Sequence, residues 1–220
     1  MATRAWLADL LPRWEETTGL AIELESAGGV DAARRVSAGE PFDVVLLAAD
    51  ALERLASAGR VSVPVELARS DVVAAVRADD GGAWDVESEE RFLEALHAAR
   101  AIGLSTGPSG AGLQRYFGDR GLAEALSSRV VVAPPGIPVA QLLRDGTVSL
   151  GFQQRPELIH ESGVRLLGAL PGAAAVTTVF AGAVGAATTS ADHAHDLLRF
   201  LARSPVLDAA RERHGFRGPA

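Results

Sequence analysis

The sequence predicts an α/β fold, on three observations. Short continuous apolar runs such as 43–47 (DVVLL) and 71–77 (DVVAAVR) have the composition of strands, and 43–47 reads as one buried on both faces of a parallel sheet. Segments with apolar residues at helical spacing alternate with these runs, as in α/β proteins. Three turns rich in Gly, Ser and Pro, at 26–29, 106–110 and 134–139, each open into a helix. Such turns fit a ligand site at the carboxyl ends of parallel strands.

The elements follow in order. Trp6, Leu7, Leu10, Leu11 and Trp14 recur at the helical period, so a helix is expected over 4–18, with Thr3 as N-cap and Gly19 at its end. Residues 21–24 read as a short strand, 30–38 as a helix, 43–47 as a strand and 50–57 as a helix. The β-branched run 71–77 leads into the polar loop 78–87, a crossing between two lobes. Ser88 with Glu89 and Glu90 puts a cap and two acids where the helix dipole favours them, so a helix should run to Ala99.

Beyond residue 117 come a short helix (122–127), a strand (129–132) and a helix from Val139, Pro138 standing at its start. Strands are expected over 148–152, ending in Gln153 and Gln154, and over 164–170. Residues 173–186 are long enough for a second crossing strand, 189–202 form a helix with Leu197, Leu198 and Leu201 on one face, and 211–220 read as a helix end and a tail.

Composition narrows the chemistry. With 220 residues, 48% of them hydrophobic, the chain can bury the core of one large domain or two small lobes. Cysteine is absent, which excludes disulfides, thiolate nucleophiles and Cys-based zinc sites. Lysine is absent too: all 21 basic residues are Arg, so no Walker lysine, Schiff base or pyridoxal-phosphate attachment exists. A net charge of −7 argues against a nucleic-acid partner. No apolar run of membrane-spanning length occurs, 1–14 lacks the pattern of a signal peptide, and neither cofactor nor metal is expected.

The chain is organised around 101–117, AIGLSTGPSGAGLQRYF. An apolar run, a glycine-rich turn and a helix start make an anion cradle, because the first backbone N–H groups of a helix lack internal partners and the peptide dipoles point their positive end there. The same stretch comes near the nucleophile elbow G-x-S-x-G, with Ala111 in place of the last glycine and no His placed as a partner. It also comes near a dinucleotide fingerprint, with Arg115 where the third glycine belongs. His193 and His195, two apart on a helix, point to different faces and do not form a metal pair. Arg155, after the two glutamines, is the arginine best placed near a site; Arg115 and Arg144 read as surface residues.

Four segments, DVVLLAADALERLASAGRV, STGPSGAGLQRYF, APPGIPVAQLLRDGTVSLGFQQRPEL and LLGALPG, resemble the molybdate-binding type of solute-binding proteins of ABC transporters, in a branch that includes aconitate isomerases. The resemblance runs from Trp6 to Phe216 and implies a type II periplasmic-binding-protein fold, two α/β lobes joined by two crossing strands. Lobe 1 would comprise 1–72 and 177–220, lobe 2 would comprise 73–176, and a ligand cleft would lie between them. The family's first strand and its Ser-containing turn have no counterpart before the first helix here. The implied ligand is a small oxyanion or carboxylate held by Gly28 and Gly29, by Ser109 and Gly110, by Pro138 and Val139, and by Gln154, which stands where molybdate binders carry a tyrosine. The implied assembly is a monomer that serves an ABC permease; the alternative activity is isomerisation of an unsaturated tricarboxylate.

Overall fold

The computed structural model describes residues 2–203 and 207–219. The chain divides into two compact units, Met1–Ser70 with Val179–Ala220, and Asp71–Thr178.

In the first unit, α1 (Arg4–Thr18) buries Trp6, Leu7, Leu10, Leu11 and Trp14, and ends at Gly19 with φ 73°, a left-handed conformation that suits glycine. Thr3 occupies the N-cap position but makes no side-chain cap, since its own backbone is already helical. Residues 21–24 do not form the expected strand. Among the described residues no strand pairs with them; Ile22 N–H donates to the Glu15 carboxylate at 2.6 Å instead. The segment leads to α2 (Gly29–Ser37), β1 (Val44–Ala48) and α3 (Ala49–Ser57).

β1 has a core on each face: Val45 and Leu47 pack with Leu52 and Leu55, while Val44 and Leu46 lie against the cluster around Trp6 and Leu198. Its pairing is antiparallel, not the parallel arrangement expected, because its neighbour is the late strand β7 (Thr177–Val184), with Val44 opposite Val184. The crossing segment is shorter than 173–186 predicts, since Gly172–Ala174 forms a 3-10 turn.

The unit is completed by α8 (Ala191–Arg203) and α9 (Asp208–Arg213). What reads as a tail is docked: Phe216 is buried against Trp6 and Phe180, and Arg217 exchanges two backbone hydrogen bonds with Arg69, of 2.8 and 2.9 Å. Arg211 is also buried, its guanidinium donating to the carbonyls of Leu67, Leu201 and Ala202. It thereby satisfies carbonyls in the last turn of α8.

The second unit is built on β2 (Val65–Arg77), which enters from the first unit, together with β3 (Ile102–Leu104), β4 (Val130–Val132), β5 (Leu150–Gln154) and β6 (Val164–Ala169). β3 is parallel to both β4 and β5, while β5 and β6 run antiparallel to β2. One face carries α4 (Glu89–Ala98) and α5 (Pro108–Asp119) over Phe92, Ile102, Leu104, Leu113 and Phe152. Burying a side chain such as Phe92 contributes about 2–3 kcal/mol. Ser88 caps α4, its Oγ accepting from Arg91 N–H at 3.2 Å. After the short α6 (Ala123–Leu126), α7 (Val139–Arg144) covers the other face, over Val73, Ala75 and Val148. The paired glycines Gly103 and Gly151 make room for α7: a Cβ at Gly151 would lie 2.5 Å from Val139 Cγ1.

Candidate anion site

Because β3, β4 and β5 are parallel, their carboxyl ends lie along one edge of the second unit. Ser105 follows β3, the proline turn follows β4, and Gln153 and Gln154 end β5. β2 is antiparallel, so its residue Val72 comes to this edge opposite Gln154.

The start of α5 is the most complete donor set here. Pro108 occupies the first helical position, where a missing N–H costs nothing, and the first turn contains no acid. The N–H groups of Ser109 and Gly110 precede the first helical bond, which Ala111 makes to Gly107 at 3.2 Å. Ser109 is buried, and its Oγ lies 2.5 Å from Ser105 Oγ. One hydroxyl of such a pair donates to the other, which leaves a single hydrogen for a ligand. The pair also bears on the nucleophile-elbow reading: the hydroxyl partner of Ser109 is a serine, which cannot act as its base.

The start of α2 differs. Gly28 and Gly29 are exposed and their Cβ positions are open, but Asp31 in the first turn already meets the helix dipole. The start of α7 differs again, since Val139 N–H donates to Gln153 Oε1 at 2.8 Å, and Pro138 is its uncapped N-cap.

Gln153 and Gln154, adjacent in a strand, point to opposite faces. The Gln153 amide also hydrogen-bonds the carboxyl of Glu157, in the 3-10 turn Arg155–Glu157, so this side chain ties α7 to an acid. Burial is the largest cause acting on the Glu157 carboxyl and pushes it above its ordinary range. Gln154 is 4% exposed; its Nε2 donates to Thr178 Oγ1 at 2.6 Å, while its Oε1 is buried without a partner. Thr178 in turn adjoins α5 through Val176, whose side chain lies 2.9 Å from the Cβ position of Gly112, one turn from Ser109.

A family model described as bacterial extracellular solute-binding protein matches residues 1–217. The chain belongs to that family. An aconitate isomerase from Pseudomonas sp. is 29% identical over 213 residues, covering 94% of this solute-binding protein and 81% of the relative. The periplasmic molybdate-binding protein of Azotobacter vinelandii superposes with a TM-score of 0.80 at 19% identity, covering 100% of this chain and 96% of that one. A tungstate-binding protein from Desulfovibrio alaskensis G20 superposes with a TM-score of 0.69 at 16% identity, over 97% and 93%. At these identities the two structures show the fold, that of the periplasmic binding proteins.

Within this solute-binding protein, then, Ser109, Gly110, Pro138, Val139 and Gln154 all stand at one edge of the second unit, and Gly28 and Gly29 belong to the first. Ser105, Gln153, Thr178 and Glu157 join the edge without having been singled out by sequence. A signal existed for Ser105, a second hydroxyl residue in the same turn that opens α5. None existed for Thr178, brought in by the return strand. Arg155 and Arg115 are exposed, and Arg144 pairs with Glu161 at 2.7 Å. Among the described residues, no group of three or more His, Asp and Glu is placed to hold a metal ion, and no helix is long and apolar enough to cross a membrane.

Proposed function

We propose that this solute-binding protein takes a small oxyanion or polycarboxylate at the edge formed by α5 and β5 and serves an ABC-type transporter as a monomer. The observation that carries the reading is the buried Gln154 amide with one polar atom unpartnered, beside a helix start whose N–H groups and serine pair have no acid to meet. Buried polar groups are almost always paired, so an orphan in such a place suits a ligand. Neutral donors suffice because a helix start holds an anion without a cation.

Titration calorimetry with molybdate, tungstate, sulfate, citrate and cis-aconitate tests it. Heat of binding with a dissociation constant of micromolar order, about −8 kcal/mol, is expected for at least one; silence from all five contradicts the reading. Ser109→Ala should weaken that ligand about 10- to 100-fold, the range for a hydrogen bond to a charged group. Unchanged affinity would place the site elsewhere.

Glu157 favours a second reading, isomerisation of an unsaturated tricarboxylate. Removal of a proton beside a carboxylate requires a base, and a carboxyl that burial raises above its ordinary range is a stronger base than a free one. In that step the Glu157 carboxylate takes a proton from the methylene carbon, the electron pair spreads over the allylic system, and the proton returns to its far end. Proton NMR of cis-aconitate with the pure protein should then show the trans isomer, and Glu157→Gln should abolish it while citrate still binds; no trans isomer from the wild type removes this reading.

A further inference from the structure

Building on the anion reading above, we infer that the ligand carries a hydrogen-bond donor, a hydroxyl or an acid hydrogen, beside its negative charge, and that Gln154 Oε1 accepts that hydrogen. The orphan is specific to one atom. Nε2 is engaged by Thr178 Oγ1 at 2.6 Å, and both residues are buried, at 4% and 6% exposure. The donors on the neighbouring strands are already committed. Thr177 Oγ1 donates to the Asp71 carboxylate at 2.5 Å, and Val72 N–H, across from Gln154 in the strand pair, donates to Val176 O at 2.8 Å. A carbonyl oxygen buried in this way loses hydration and gains nothing unless a ligand brings a donor to it.

The two halves of the site therefore ask for different chemistry. The start of α5, with its N–H groups and the spare hydroxyl hydrogen, asks for negative oxygen. Gln154 Oε1 asks for hydrogen. A fully ionised tetrahedral oxyanion has acceptors only and would set one of them against Oε1, whereas a hydroxycarboxylate or a hydrogen phosphate supplies both. A site built around a substrate hydroxyl rejects the analogue that lacks it far more strongly than an apolar pocket rejects an added methylene. Thr178 is the positioning residue, since its Oγ1 accepts from Nε2 and holds the amide with Oε1 left over.

Two matched ligand pairs test this by titration calorimetry at pH 8. Citrate and tricarballylate differ by one hydroxyl; hydrogen phosphate and sulfate share charge and shape and differ by one hydrogen. In whichever pair binds, the donor-bearing member should bind about 10- to 100-fold tighter, the fold-change that goes with an unpaired buried acceptor; the pair that responds distinguishes a carboxylate from a phosphate ligand. Thr178→Val removes the partner of Nε2 and frees the amide to turn, and should bring the ratio close to one; the thermal midpoint should fall by about 2–12 °C, since a buried amide hydrogen loses its acceptor. Equal affinities in the wild type, or preference for tricarballylate or sulfate, overturn the inference and leave the anion site standing. Silence from all four ligands, with none of the other anions binding either, overturns both. A Thr178→Val ratio equal to the wild type's overturns the positioning role.

Discussion

Gly110 is the residue on which the start of α5 turns. A Cβ there would lie 1.9 Å from the carbonyl oxygen of Ser105 and 3.0 Å from its carbon. Carbon and oxygen ordinarily approach no closer than about 3.3 Å, so one backbone segment must retreat by about 1.4 Å. The obstacle is main chain, with no flexible side chain to swing aside. Gly110→Ala is therefore expected to cost about 3 kcal/mol, the upper end for overpacking, which lowers the thermal midpoint of a chain this size by roughly 6–12 °C. Gly118 in the same helix has nothing within 4 Å of its Cβ position. Gly118→Ala should accordingly stabilise by about 0.5–1 kcal/mol through helix propensity alone. Differential scanning calorimetry of the two variants should show shifts of opposite sign. A midpoint for Gly110→Ala within about 2 °C of wild type would refute the reasoning, because the helix start would then not be pressed onto Ser105.

Three further outcomes follow from particular contacts. Arg211→Met keeps much of the aliphatic bulk beside Trp6 but leaves the carbonyls of Leu67, Leu201 and Ala202 without the guanidinium; a loss of at least about 3 kcal/mol is expected in urea denaturation. Asp80 is held below its ordinary value of 3.8 by hydrogen bonds from the Trp84 indole and Gly82 N–H. Its contribution is thus complete above that value and lost as pH falls through the lowered one, so acid titration followed by Trp fluorescence should be flatter in Asp80→Asn. Glu157 is shifted the other way, chiefly by burial, from an ordinary 4.5. Stability should fall as pH rises from that value through the raised one, so Glu157→Gln should be more stable than wild type at pH 7 and no more stable at pH 4, as denaturation at the two pH values would show.

Local pattern carried most of the elements, and partners decided the rest. The spacing of Trp6, Leu10 and Trp14 predicts α1 because a buried stripe needs no knowledge of what covers it. The run at 21–24 has strand composition, yet a strand exists only where another lies beside it, and Glu15 takes the Ile22 amide. The direction of β1 was equally hidden, since it depends on β7 returning from more than 130 residues away in the chain. At the site, the turn at 106–110 was readable because glycine, proline and serine at a helix start have local reasons to be there. Gln153 and Gln154 form an undifferentiated pair in the sequence; only the pleat of β5 sends one to Val139 and Glu157 and the other to Thr178. Glu157 lies outside the glycine-rich turns, so a search confined to them finds no acid.

Mapping the bound ligand by amide chemical shifts puts the site to the most direct test. With citrate added to the 15N-labelled protein, the largest shifts are expected at the backbone N–H groups of Ser109 and Gly110 and at the side-chain amide of Gln154. The groove of the first unit lined by Val36, Phe42 and Arg60 should stay silent. Saturable shifts confined to that groove, with Ser109, Gly110 and Gln154 unmoved, would contradict the assignment of the anion site.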